Sequence, residues 1–175
     1  LFEWSEPTST QFGTMKGIID EIFKDKEVRD YALVCFATGL LGKVITHFFV
    51  CTGSGANGKS ILFSILMRAF GEYGYKFASA KLLEPLNGNA DPVIAKMNKK
   101  RVSYCEEPDE SRKLNGSCIK DLTGATELCA RACHSNDVSQ KLTHSLFMLC
   151  NKLMQDNSSC LYKLTIDTRL LAIAI

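Results

Sequence analysis

The chain has 175 residues, 46% of them hydrophobic and 23% charged, which is close to the balance of an average globular domain. This composition excludes a disordered tail, a collagen-like fibre and a bundle of membrane helices, and the longest apolar stretch, 32–41, is too short to span a bilayer. The net charge of +2 is low for a protein that binds nucleic acid through a broad basic patch, so such binding would require locally concentrated charge. The chain shows no secretory signal and no initial Met, and we expect a piece of a longer intracellular protein.

The eight cysteines are scattered through apolar runs and form no CxxC pair. This distribution predicts buried, reduced thiols. A zinc site built on Cys129, Cys133 and His134 is the alternative, but a fourth ligand at a suitable spacing is missing.

Residues 1–44 predict two helices. Apolar residues recur at helical spacing from Phe12 to Phe23, and a second helix is expected after Asp25, ending near Gly42. The residues that this second helix is expected to bury are Val28, Tyr31, Ala32, Cys35 and Gly39. We interpret residues 1–44 as a helical segment for packing or oligomer contacts, and residues 45–175 as the core domain.

From Ile45 onwards short apolar runs alternate with helical segments, a pattern typical of an α/β fold with a parallel sheet. The predicted strands are Ile45–Cys51, Tyr75–Ala78, Arg101–Cys105, Leu146–Cys150 and Leu170–Ile175. The predicted helices are Lys59–Phe70, Pro92–Met97 and Gly116–Leu122. The stretch Leu128–Leu142 has a polar centre between strand-like flanks, which indicates a β-hairpin inserted before the fourth strand.

The most specific motif is a GxxxxGKS loop between the first strand and the following helix. Its residues are Gly53, Ser54, Gly55, Ala56, Asn57, Gly58, Lys59 and Ser60. Glycines allow backbone N–H groups to surround a polyphosphate, and the helix N-terminus adds partial positive charge. Lys59 is expected to contact the β- and γ-phosphates of ATP, while the Ser60 hydroxyl is expected to bind Mg²⁺.

Two further polar groups follow predicted strands. Glu106 and Glu107 come at the carboxyl end of the third strand, where ligands bind in open α/β sheets. We expect Glu106 to act on the metal side and Glu107 to deprotonate the attacking water, with Asp109 able to replace either. Asn151 closes the fourth strand, where its amide is expected to lie between the γ-phosphate and that water.

The order of these motifs resembles the superfamily 3 helicases of the AAA+ class, most closely the poxvirus-type primase–helicases of large DNA viruses and phages. The matching stretches are Gly53–Ser60, Asn89–Pro92, Lys100–Val102, Glu107–Asp109, Leu114–Asn115, Ile119–Gly124, Ala130–Arg131 and Asn151. The chain departs from the family at Gly124–Glu127, where the family commonly has Gly-Gly-Asp, and at Met154, where it commonly has Pro.

The resemblance implies a P-loop NTPase of the AAA+ type, with a central five-stranded, mainly parallel sheet flanked by helices and a hairpin before the sensor strand. It implies Asn151 as the sensor and Arg169 as an arginine finger that reaches the ATP of a neighbouring subunit. The hairpin would contact single-stranded DNA in a hexamer channel through Arg131, His134 and Lys141.

The expected activity is that of an ATP-hydrolysing motor of a hexameric helicase in viral DNA replication, with ATP and Mg²⁺ as ligands. Expected partners are single-stranded or forked DNA, further copies of the chain and a fused or associated primase domain, with no membrane partner. The expected location is the cytoplasm or nucleus of an infected host cell. Two other functions stay open: a P-loop kinase for a small metabolite, and an ATP-dependent assembly or DNA-loading scaffold that does not unwind.

Overall fold

The computed structural model describes residues 5–86, 91–108, 111–124, 128–130, 138–151 and 170–174, with the backbone alone at 129–130, 138–140 and 170–174. Among the described residues, no helix has both the length and the apolar character of a membrane span.

Two helices precede the sheet, as the sequence predicts. Helix α1, Ser9–Ile22, begins with a capping box in which Thr8 and Gln11 exchange side chain to backbone hydrogen bonds. Helix α2, Lys26–Leu41, begins at the side chain of Asp25 and ends at Gly42, whose φ of 59° is left-handed.

The buried face of α2 consists of Ala32, Cys35, Phe36 and Gly39. The expectation that Tyr31 is also buried was wrong, because this residue lies at the edge of that face and is 40% exposed, and Val28 is only half-buried. The same face shares one hydrophobic cluster with strand residues, so the N-terminal segment packs directly on the sheet. A domain boundary at residue 44 stays a prediction.

Five parallel strands form one sheet, which confirms the predicted α/β architecture. The strands are β1 Phe48–Thr52, β2 Gly74–Lys76, β3 Val102–Glu106, β6 Ser145–Cys150 and β7 Leu170–Ala174. Their order in the sheet is β2-β3-β6-β1-β7, and every neighbouring pair is parallel. The carboxyl ends of all five strands therefore lie at one edge.

Helices cover both faces of this sheet, which is why its central strands are apolar on both sides. Further along the chain are α3 Lys59–Phe70, α4 Pro92–Met97 and α5 Gly116–Thr123, with short 3₁₀ turns at Gly71–Tyr73 and Ser79–Leu83. One hydrophobic cluster joins α1, α2 and α3 to one face. A second cluster joins α4, α5 and the turn at Ser79–Leu83 to the other face.

A small antiparallel hairpin stands apart from the main sheet. Strand β4, Leu128–Ala130, pairs with β5, Val138–Gln140, directly before β6. The hairpin predicted for Leu128–Leu142 is therefore confirmed in its two strands, while residues 131–137 lie outside the described part of the chain.

The cysteines at positions 35, 51, 105, 118 and 150 are buried and form no disulfide within the described part of the chain, as the sequence predicts. Burial raises the pKa of the Cys51 and Cys105 thiols well above its ordinary value, so both stay protonated. No cluster of three metal-ligating side chains occurs within the described residues. The zinc alternative involves Cys133 and His134, which lie outside them.

Candidate functional site

A loop of residues 53–58 joins the end of β1 to the start of α3. Two of its residues have left-handed backbone conformations, Ala56 with φ 58° and Gly58 with φ 87°. Packing also requires glycine at position 58, because an added Cβ would lie 2.8 Å from Cγ1 of Ile22 at the end of α1. The loop is therefore a tight turn that depends on the N-terminal helices as well as on its own sequence.

The ammonium group of Lys59 is held by the carbonyl and amide oxygens of this turn. Its Nζ donates hydrogen bonds to the carbonyl oxygens of Gly53 (2.8 Å) and Ser54 (3.1 Å) and to Oδ1 of Asn57 (2.9 Å). The residue is only 7% exposed although it carries a charge. All three acceptors are neutral, so an anionic phosphate oxygen would form a stronger, charge-assisted hydrogen bond with the same ammonium.

Helix α3 directs its amino end at the same place. Its N-cap residue is Gly58, which has no side chain to accept hydrogen bonds from the first-turn N–H groups. Unpaired N–H groups and the helix dipole together favour a bound anion. The turn and the helix thus form a site suited to phosphate.

The two glutamates lie at the end of β3 and differ in their surroundings. The carboxylate of Glu106 accepts a hydrogen bond at 2.5 Å from Nζ of Lys76, the last residue of β2. Glu107 is exposed and has a left-handed φ of 46°, and its N–H donates to the carbonyl oxygen of Leu149 at 2.9 Å. A non-glycine residue held in this conformation is strained by about 1–3 kcal/mol, and such strain clusters at functional sites.

The order of the strands places Asn151 between these groups. Strand β6 lies between β1, which carries the loop, and β3, which carries the glutamates, and Asn151 directly follows β6. All of them line one cleft of about 360 Å³. The cleft residues are Gly55, Ala56, Asn57, Gly58, Lys59, Ser60, Ile61, Glu106, Glu107, Leu149, Cys150 and Asn151.

Most of the site residues expected from the sequence thus meet in one place. Gly53 and Ser54 are absent from the lining of the cleft, but their carbonyl groups hold Lys59. Lys141 is exposed and precedes the amino end of β6, so it lies towards the opposite edge of the sheet. The remaining site residues, Arg131, His134 and Arg169, and the alternative carboxylate Asp109, lie outside the described residues.

Sequence reasoning missed Lys76. A lysine within a short predicted strand is a weak signal by itself, because most such residues are solvated. Lys76 reaches the site because β2 and β3 are neighbours in the sheet. Lys76 pairs with Tyr104, and this register brings the Lys76 side chain into contact with Glu106. Its ammonium also lies 5.5 Å from the centre of the Tyr104 ring.

The fold is an α/β domain with a parallel sheet flanked by helices, and together with the loop it is consistent with the P-loop NTPase class. No family model matches the chain. A solved structure of the apo form of the NrS-1 C-terminal region matches 93% of this chain and 37% of that one, with a TM-score of 0.65 and 14% sequence identity. This similarity supports the fold.

Curated relatives from large DNA viruses share more of the sequence. "Putative helicase L207/L206" of Acanthamoeba polyphaga mimivirus is 34% identical over 148 residues, covering 81% of this chain and 15% of the relative. "Primase D5" of Fowlpox virus is 31% identical over 129 residues, or 69% of this chain and 15% of the relative. "Uncoating factor OPG117" of Monkeypox virus is 31% identical over 131 residues, or 71% of this chain and 16% of the relative.

The chain belongs to the family of D5-like helicase–primase proteins of large DNA viruses, which confirms the resemblance seen in its motifs. It spans about a sixth of the length of these relatives.

Proposed function

We propose that the chain is the ATP-hydrolysing motor domain of a hexameric DNA helicase of the AAA+ type that acts in viral DNA replication. The observation that carries this proposal is the single cleft in which the phosphate loop, two carboxylates and an amide meet. The names of the relatives, which include a helicase and a primase, support a role in replication and a primase partner. Replication of a large viral genome would place the protein inside the infected cell.

In this proposal the loop and α3 bind the phosphates of ATP. The ammonium of Lys59 exchanges its neutral acceptors for the β- and γ-phosphate oxygens, and the first-turn N–H groups of α3 add further donors. The cleft is open to solvent on the side of Ser60 and Glu107, both of which are exposed, so nucleotide can enter without a change of fold.

The oxygen donors of the cleft fit a magnesium ion. The hydroxyl of Ser60 and the carboxylate of Glu106 line the same cleft, and Mg²⁺ prefers such hard ligands. These two residues would hold the ion, which would neutralise charge on the phosphate oxygens.

Hydrolysis needs a base for the attacking water, and Glu107 is the best-placed candidate. Its carboxylate is exposed at the cleft, whereas that of Glu106 is paired with Lys76. Glu107 would accept the proton of the water, and the amide of Asn151 would orient that water against the γ-phosphate. Arg169 of a neighbouring copy would stabilise the charge that develops during transfer.

DNA contact is proposed for the hairpin. Six copies of Arg131, His134 and Lys141 around a channel would concentrate positive charge in a chain whose net charge is only +2.

The test compares the chain with Lys59→Ala and uses Lys113→Ala, a change of an exposed lysine outside the lining of the cleft, as the matched control. We expect Mg²⁺-dependent binding of ATP, slow release of phosphate that single-stranded DNA stimulates, and loss of binding only in Lys59→Ala. Phosphate transferred to a metabolite instead of water would favour the kinase. A nucleotide-dependent ring that does not separate forked DNA, even in a longer chain with flanking residues, would favour the scaffold.

A further inference from the structure

The ion pair between Lys76 and Glu106 joins two neighbouring strands at the carboxyl edge of the sheet. Lys76 pairs in register with Tyr104, so its side chain lies on the same face as that of Glu106, two residues further along β3. The 2.5 Å contact between Nζ and Oε2 results directly from this register.

This ion pair contributes little to the stability of the fold. The side chain of Lys76 is 54% exposed and that of Glu106 is 24% exposed. Pairs with this degree of exposure contribute between zero and about 1 kcal/mol to the free energy of unfolding. Glu106 also lines the cleft, so the ion pair lies at the candidate site.

The ion pair also gives the adjacent carboxylates of Glu106 and Glu107 different surroundings. Glu106 has a fixed partner, whereas the carboxylate of Glu107 has none among the described residues. The backbone of Glu107 is held on both sides, by Leu149 at its N–H and by the hydroxyl of Ser79 at its carbonyl oxygen (3.3 Å). Glu107 thus has a fixed backbone and a carboxylate without a partner in the described part of the chain, while Glu106 has an anchored carboxylate.

We propose that Lys76 is a positioning residue that holds Glu106 at the metal side of the cleft and leaves Glu107 as the group that activates water. This inference rests on the proposed ATP hydrolysis. Without Lys76, the Glu106 carboxylate loses its anchor and can rotate towards Glu107, where two like charges compete for the place of the attacking water. The step that suffers is hydrolysis, because the groups proposed to bind the phosphates are Lys59 and the first turn of α3, and Lys76 is not among them.

The experiment measures ATP turnover and binding of a fluorescent ADP analogue for Lys76→Met and Lys76→Arg. Lys76→Met lowers kcat about tenfold, with KM and the affinity for the analogue without Mg²⁺ each within twofold of the original chain. Lys76→Arg restores kcat to within about threefold, because arginine keeps the cation and its hydrogen bond. Lys16→Met, which removes the exposed ion pair of Lys16 with Asp20 on α1, is the matched control and leaves kcat unchanged.

A double variant separates positioning from a general charge effect. In a Glu106→Gln background, Lys76→Met causes no further loss of kcat if Lys76 acts through Glu106. An unchanged kcat in Lys76→Met, or an equal loss in both backgrounds, would overturn the inference while the original chain still hydrolyses ATP. Absence of hydrolysis in the original chain would instead contradict the proposed function.

Discussion

At the scale of single residues, the phosphate loop is a turn whose backbone is set by packing as well as by glycine content. Gly58 has φ 87° and touches Ile22, whereas Gly55 has open space around an added Cβ. These two glycines of the loop therefore differ in how much an added side chain would lower the free energy of unfolding. Of these two glycines, Gly58 is the one that combines an unfavourable φ with a steric block.

We expect Gly58→Ala to lower the free energy of unfolding by about 1–2 kcal/mol or more, since a left-handed alanine and the contact with Ile22 add their costs. Gly55→Ala is the matched control, with an expected change within about 0.5 kcal/mol. Urea denaturation of both variants measures the difference. Equal stability of the two variants would refute the packing of α1 on this loop.

The glutamates allow a second test at this scale. Glu107→Gln keeps the shape of the side chain but removes the base, so phosphate release should fall at least about 100-fold while affinity for ATP stays within threefold. Glu72→Gln changes an exposed carboxyl outside the lining of the cleft and should have no effect. If Glu107→Gln still hydrolyses ATP at the original rate, another group must act as the base.

At the scale of elements, a buried histidine connects α5 to the sheet beside the hairpin. Nε2 of His144 donates to the carbonyl oxygen of Leu122 at 3.1 Å, so Nδ1 accepts the hydrogen bond from the hydroxyl of Ser103 at 2.8 Å. Burial lowers the pKa of His144 to about 4. The histidine is therefore neutral in the folded chain and joins the two segments that flank β4 and β5.

This burial predicts a loss of stability in acid. The unfolded chain takes up a proton near the ordinary pKa of 6.5, whereas the folded chain does so only near 4. Neutral His144 thus makes its full contribution to the free energy of unfolding above about pH 7. This contribution declines as the pH falls from 6.5 towards 4, by up to about 3 kcal/mol.

Denaturation at several pH values measures this decline. His144→Gln should be less stable than the original chain at neutral pH, and its free energy of unfolding should fall less on acidification. His47→Gln should show the same fall in stability as the original chain. A profile that is the same in His144→Gln and in the original chain would show that other groups cause the acid sensitivity.

At the scale of the whole molecule, the proposed ring depends on nucleotide and on a neighbouring copy. Light scattering of the chain with a non-hydrolysable ATP analogue should show a larger mass than without it, and Lys59→Ala should not respond. Arg169→Ala should still assemble but should hydrolyse ATP at least tenfold more slowly. Rapid turnover by a monomer, unaffected by Arg169→Ala, would contradict an arginine supplied by a neighbour.

The local pattern of the sequence was sufficient to predict much of the fold. The loop 53–60 and the apolar runs of the strands are local features, and the structure agrees with them apart from shifts at strand ends, such as Gly74–Lys76 in place of the predicted Tyr75–Ala78. The strand Ile45–Cys51 begins three residues later, at Phe48, because hydrogen bonding to β6 and β7 begins only there. Tyr31 was misjudged because helical spacing does not show how wide the buried face is.

The sequence by itself determined that this chain has a phosphate loop, a pair of carboxylates after a strand and an asparagine after another, since each depends on residues close together in the chain. Only the tertiary structure decided that β6 lies between β1 and β3, that Ile22 packs on Gly58 and that Lys76 holds Glu106. These contacts join residues at least thirty positions apart, and strand order and register, which no local pattern encodes, bring them together.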